Sequence, residues 1–289
     1  MDRLIYISAC CLVLSLTACG DDHQDEPAVV KDGSRLSATM PTQPSAQWFA
    51  GDEVDVLNLA SIKPNRYVAD ATSVGTTALL PLQEGSAQLV TGDDDLYAYT
   101  PNVHIKGIWA SNDNRAFLAQ RIPHAYEAAE VGILGTHVPR PVSLWSTVTF
   151  NKDGLMSAQL QHLTALLNIP SSTIPEGVRA LLLVTHSTFK LNDEILKGGQ
   201  GESLSGLYQT VLAGSAVLAP DEDEVTCDTL RINLNPKKNY DSYCIPIIEG
   251  TYSSLHVLAL TGDRFSTYDW IGKELLHFNN KTFTAGVVY

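Results

Sequence analysis

The chain has 289 residues, 44% of them apolar and only 18% charged, with a formal net charge of −13 at neutral pH. The acidic surplus repels a phosphate backbone, and the largest basic cluster is the pair Lys237-Lys238, which excludes a nucleic-acid partner. The length supplies apolar material for two domains, and few charges with many Thr, Val, Leu and Tyr residues favour β-structure over helical bundles.

The first element is the apolar run Leu4 to Leu16, led by Arg3 and closed by Leu16-Thr17-Ala18-Cys19. It is shorter than the ~20 apolar residues of a spanning helix, so residues 1–18 read as a signal peptide. Cys19 directly after Leu-Thr-Ala resembles the lipobox of bacterial lipoproteins. That resemblance implies that Cys19 becomes the mature N-terminus and carries the lipid, a stable anchor to the outer membrane of a surface-exposed chain. Residues 19–34 combine acids with Pro27, Gly33 and few apolar groups, which describes a disordered linker. Its acids fit either a surface-export signal of Bacteroidetes lipoproteins or simple solvation.

From Arg35 the pattern changes. The stretch RLSATM reads as a first strand, and Trp48 to Leu59 follows with Val54 and Val56 on one side and Asp55, Leu57 and Leu59 on the other. Short apolar runs recur at hairpin spacing, among them Ala78 to Gln83, Asp95 to Pro101, Ala116 to Pro123, Val131 to Val138 and Ser143 to Phe150. Glu84-Gly85-Ser86, Ser111-Asn112-Asp113-Asn114 and Pro139-Arg140-Pro141 punctuate them. The pattern is all-β sandwich or barrel. Tyr97 and Tyr99 share one face of their strand and read as core or interface edge.

Asn151-Lys152-Asp153-Gly154 is a turn and the expected boundary between domains at 35–154 and 155–289. Ala158 to Ser172 fits either a helix, through Leu160, Leu163, Leu166 and Leu167, or a buried strand. Arg179 to Ser187 is a strand, the Gly-rich stretch Lys197 to Gly206 a mobile loop, and strands then continue to Tyr289. Cys227 and Cys244 are the two cysteines left in the folded body, on two strand-like runs joined around Pro236. A hairpin there would bring them face to face. A disulfide between them is permitted outside the cytoplasm and would contribute ~3 kcal/mol in the chain-entropy model, while the alternative is two buried thiols.

Catalytic or metal chemistry leaves no pattern in this chain. No serine lies in a G-x-S-x-G elbow, and Gly198-Gly199-Gln200-Gly201 lacks the context of a phosphate cradle. The eight histidines are dispersed, and His162 on its apolar run reads as a core or boundary residue. Asp93-Asp94-Asp95 and Asp221-Glu222-Asp223-Glu224 lack calcium-loop spacing and read as solvated turns. The expectation is a non-enzymatic protein without cofactor or metal.

Several stretches in order resemble the fimbrillin family of Bacteroidetes surface lipoproteins. They are the lipobox, the opener W-x-x-GD-x-V-x-V at Trp48 to Val56, LYAYTPN at Leu96 to Asn102, QHLTALLNI at Gln161 to Ile169, Tyr243 to Tyr268, and the closing FTAGVVY. The resemblance implies two tandem transthyretin-like β-sandwich domains and polymerisation with other fimbrial subunits by strand exchange. In that family a trypsin-like protease removes the lipid-bearing first strand after an arginine or lysine. Here Arg35 is the candidate processing residue, yet it stands ahead of the expected strand, and the next basic residue, Lys63, lies beyond the following one. No evident donor tail follows the last strand before Tyr289. These departures lead to the expectation that Cys19 is kept and that the chain is an anchor, tip or accessory subunit. The alternative is a tethered lipoprotein whose loops hold glycan or host protein, suggested by Trp109, Trp145, Trp270 and the Gly-rich loop.

Overall fold

The computed structural model describes residues 32–43, 46–58, 64–84, 96–100, 104–110, 113–135, 142–212, 215–220, 225–235, 239–262 and 268–289. The described chain is nearly all β, with one four-residue α-helix, Ala128–Val131, and one 3-10 turn, Ser171–Thr173. No described helix is long and apolar enough to cross a membrane.

Alternation of apolar and polar residues makes the first sheet. Its strands run side by side as Asn65–Val68, Glu53–Asn58, Leu96–Tyr99, Leu144–Phe150, Leu155–Gln159, Asp32–Thr39 and Thr77–Pro81, with the short Gln161–His162 also on Leu144–Phe150. Leu144–Phe150 serves two layers, since Trp145 to Thr147 pair with Leu96–Tyr99 and Val148 to Phe150 with Leu155–Gln159. The two ends of the row meet at an antiparallel bridge between Tyr67 and Leu82, and the Gln83 N–H donates to the Arg66 carbonyl at 2.8 Å. Leu36, Ala38, Trp48, Val54, Val56, Tyr67, Leu80 and Leu144 close the core between the layers. On the outer face, Leu57, Tyr97, Tyr99 and Leu163 bury one another with Trp145 against them, so the tyrosines are packing residues as their spacing predicts.

In the second half a central sheet orders Gly272–Phe283, Gly250–Leu260, Ala180–Val184, Thr229–Asn233 and Ala125–Glu127. Leu181 and Leu183 face a three-stranded sheet of Ala165–Pro170, Ser242–Ile247 and Gly132–Ile133, joining Leu167, Ile169, Ile245 and Ile247 in one core. Ala180, Leu182 and Val184 face the other way, onto Phe189, Leu191 and Trp270 of a second three-stranded sheet, Glu194–Lys197, Thr188–Leu191 and Asp269–Trp270. The second half therefore has three layers. Burial on both faces explains why Ala180–Val184 is an unbroken apolar run. A four-stranded sheet of Ser215–Pro220, Leu207–Leu212, Asp113–Ile122 and His104–Ala110 completes the fold.

The ambiguous run from Ala158 is strand. Ala165–Pro170 pairs antiparallel with Ser242–Ile247 and sends Leu167 and Ile169 into the second core but Leu166 into the first, a period of two that a helix would not give. Other strand pairings cross residue 154, where the division is expected. Ala125–Glu127 and Gly132–Ile133 pair with second-half strands, whereas Leu155–Gln159 lies in the first sheet. The Gly-rich stretch is tied down rather than mobile: the Gly201 N–H donates to Thr185 O at 2.9 Å, Leu204 N–H to Cys227 O at 2.8 Å and Gly206 N–H to Ile122 O at 2.9 Å. A Cβ at Gly199 would meet the Glu202 carboxylate and the Ser254 and Thr185 carbonyls within 3 Å, so the backbone passes too close for a side chain.

Candidate functional site

The first candidate site is the first strand and its seat. Asp32–Thr39 lies inside the row, parallel to Leu155–Gln159 and antiparallel to Thr77–Pro81. Leu36 and Ala38 pair with Leu80 and Ala78 on one side and with Met156 and Ala158 on the other, and both are wholly buried. Burying a leucine side chain contributes about 2 kcal/mol. The strand is also held from across the core: the Trp48 indole N–H donates to Ala38 O at 3.0 Å and the Tyr67 hydroxyl to Gly33 O at 2.7 Å. Burial pushes the Tyr67 phenol far above its ordinary range, which keeps it a donor.

Arg35 is exposed and lies within this strand, opposite Pro81, not ahead of it. The strand begins three residues before the run RLSATM because Asp32 already pairs with Leu155 and the Ser34 carbonyl accepts the Leu82 N–H at 2.9 Å, with a bulge between Asp32 and Leu36. A cut after Arg35 would remove the part held by Tyr67 and leave Leu36 and Ala38 in the core. Cys19, the expected lipidation residue, lies outside the described residues.

The two body cysteines are free thiols. Their strands do not form a hairpin. Thr229–Asn233 pairs with Ala180–Val184 and Ala125–Glu127, whereas Ser242–Ile247, which carries Cys244, pairs with Ala165–Pro170 and Gly132–Ile133. Cys227 bridges to Ser205. Cys244 sits in the first core, where burial pushes its thiol up to about 12. Of the tryptophans considered as a ligand platform, Trp270 is buried against Phe189 and Trp145 stacks on Tyr97; the Trp109 side chain lies outside the described residues.

A second constellation was hidden by sequence distance. His256 and His277 pair directly across the final two long strands, with ring centroids 3.9 Å apart and planes 17° from parallel. Both Nε2 atoms reach the Ser254 hydroxyl, at 3.0 and 2.8 Å, and His256 Nδ1 meets Glu274 Oε1 at 2.5 Å. Burial, then the neighbouring His256, lowers His277 from its ordinary value. The order Ser254, His256, Glu274 is the connectivity of a nucleophile, base and carboxylate. Here the Ser254 hydroxyl is buried and shared by two imidazoles, so it is not presented to a substrate.

No family model matches the chain, and no curated protein matches it. Among solved structures, the chain is similar to a fimbrial protein from Bacteroides ovatus, at 13% identity and a TM-score of 0.28, over 83% of this chain and 46% of that one. It is likewise similar to a candidate cell adhesion protein from Bacteroides eggerthii, at 9% identity and a TM-score of 0.26, over 80% of this chain and 75% of that one. The chain thus spans about half the length of the fimbrial protein it matches.

Proposed function

We propose that the chain is a non-enzymatic cell-surface lipoprotein, held in the outer membrane through Cys19, that serves as a structural or accessory subunit of fimbriae assembled by β-strand exchange. The observation that carries this reading is the seat of the first strand. Asp32–Thr39 is hydrogen-bonded on both sides and fills an apolar slot with Leu36 and Ala38. That is the position a neighbour's strand would take if this one left, with backbone pairing for affinity and alternate side chains for selectivity. The ordered motifs that resemble the fimbrillin family support the same reading.

The place of Arg35 inside the strand favours an end position in the fibre, as anchor or tip. Cutting there strips the bonds to Ser34 and Gly33 but leaves the apolar plug, so the slot stays filled. A subunit that keeps its own strand joins a neighbour along another edge, for which the half-exposed Gly272–Phe283 ends its row. Surface extracts run without boiling test the proposal. The chain is expected in a high-mass ladder that collapses to monomer on boiling; monomer alone in both lanes would overturn the fimbrial role.

A further inference from the structure

We propose that His256, Glu274 and His277 form a binding site for a first-row transition-metal dication of the zinc class. Each offers one ligand atom, and these atoms all lie within 4.8 Å of one another. Two imidazole nitrogens with one carboxylate oxygen are a donor set that suits Zn²⁺ and its neighbours, whereas Ca²⁺ and Mg²⁺ prefer oxygen alone.

The fold arranges this set without a dedicated loop. His256 on Gly250–Leu260 stands opposite His277 on Gly272–Phe283, so the ladder itself fixes the spacing of the two rings. A shift in register between Val257 and Leu258 accompanies the arrival of Glu274 beside His256. Such a shift re-aims side chains on one strand, here to the side where the imidazoles stand.

The three ligands differ in freedom. His256 is 3% exposed and is pinned by the edge of the Phe189 ring at a centroid distance of 5.0 Å. Glu274 and His277 are at the surface and can adjust. Metal–ligand bonds of about 2.0–2.2 Å hold donors roughly 3.3 Å apart around a tetrahedral ion. Glu274 Oε1 now sits closer than that to His256 Nδ1, at hydrogen-bond distance. On binding, Glu274 swings outward and His256 ligates through Nδ1 as the neutral imidazole, the proton displaced from Nδ1 being replaced by one taken up at Nε2 through solvent. The His256 Nε2–H is then free to donate to Ser254 Oγ at its present 3.0 Å, the kind of outer hydrogen bond that orients a ligating imidazole. Three protein ligands leave a fourth position, on the exposed side, for water or a donor from another molecule.

A bound ion would clip the last strand to its neighbour and stabilise the fold by mass action. The test is titration of the full chain with Zn²⁺, followed by calorimetry and thermal unfolding, and with Co²⁺, followed by its visible ligand-field bands. One equivalent is expected to bind, with a rise in Tm of several degrees. His277→Ala and Glu274→Ala, both at surface positions, are each expected to lose the Tm rise and the Co²⁺ bands. His124→Ala, at an exposed histidine elsewhere, is expected to keep both. Absence of binding by the unaltered chain, or undiminished binding by His277→Ala, would overturn the proposal.

Discussion

His162 shows how one residue sets a pH limit on the fold. Its Nε2–H donates to Gln43 O at 2.8 Å, while Nδ1 is buried with no hydrogen-bond partner among the described residues. Protonation would place a charged, unpartnered N–H in the core, so burial lowers its pKa to about 4. The unfolded chain binds this proton near pH 6.5 and the folded chain does not until about pH 4, so stability is complete above 6.5 and falls as the pH drops through that window. The loss amounts to about 3 kcal/mol at most. Denaturant unfolding at pH 7 and pH 4.5 is expected to show this decline, and His162→Gln, which does not titrate, is expected to flatten it. An unchanged decline in that variant would assign the effect to the carboxylates instead.

At the scale of elements, the first strand makes the sharpest claim. Leu36→Ala is expected to cost about 2–5 kcal/mol, because both neighbouring strands and the core close around the side chain. Ser37→Ala, on the half-exposed face of the same strand, is expected to stay within about 0.5 kcal/mol. Equal costs at the two positions, measured by denaturant unfolding, would contradict the register.

Much at this scale was legible in the sequence. Alternation that sets Val54 and Val56 on one side and the apolar run from Ala78 mark strands that the structure contains, and the spacing of Tyr97 and Tyr99 marks a packing face. What failed was anything that depends on the partner strand. The run through Leu166 and Leu167 fits two periodicities, and only pairing with Ser242–Ile247 decides between them. The third layer over Ala180–Val184 was hidden because an all-apolar run looks the same whether one or two sheets cover it. The expected hairpin around Pro236 failed for the same reason, since each of its arms found a different sheet. Of the candidate site, the first strand is visible in RLSATM but its beginning is not, because Asp32-Gly33-Ser34 is polar and only its partners Leu155 and Leu82 make it strand. His256 and His277 carry no spacing signal, because only the pairing of Gly250–Leu260 with Gly272–Phe283 brings them together.

For the whole molecule, the consequence is that the two halves are interlaced. The chain gives Ala125–Glu127 and Gly132–Ile133 to the second half, then returns to build Leu144–Phe150 and Leu155–Gln159 into the first. Ile133, Leu166 and Cys244, from second-half strands, complete the first core. A fragment of residues 155–289 lacks two of its own edge strands and carries a strand that belongs elsewhere. It is expected to be unfolded or aggregated by circular dichroism and size-exclusion chromatography, whereas cooperative unfolding of that fragment would show an independent domain.

The central claim is a surface lipoprotein that keeps both its anchor and its first strand. Mass spectrometry of the N-terminus of the chain taken from intact cells tests it most directly. The account predicts a mature form that begins at a lipidated Cys19 and retains Asp32–Thr39. A surface form that begins after Arg35 or after Lys63, with no lipid, would contradict it.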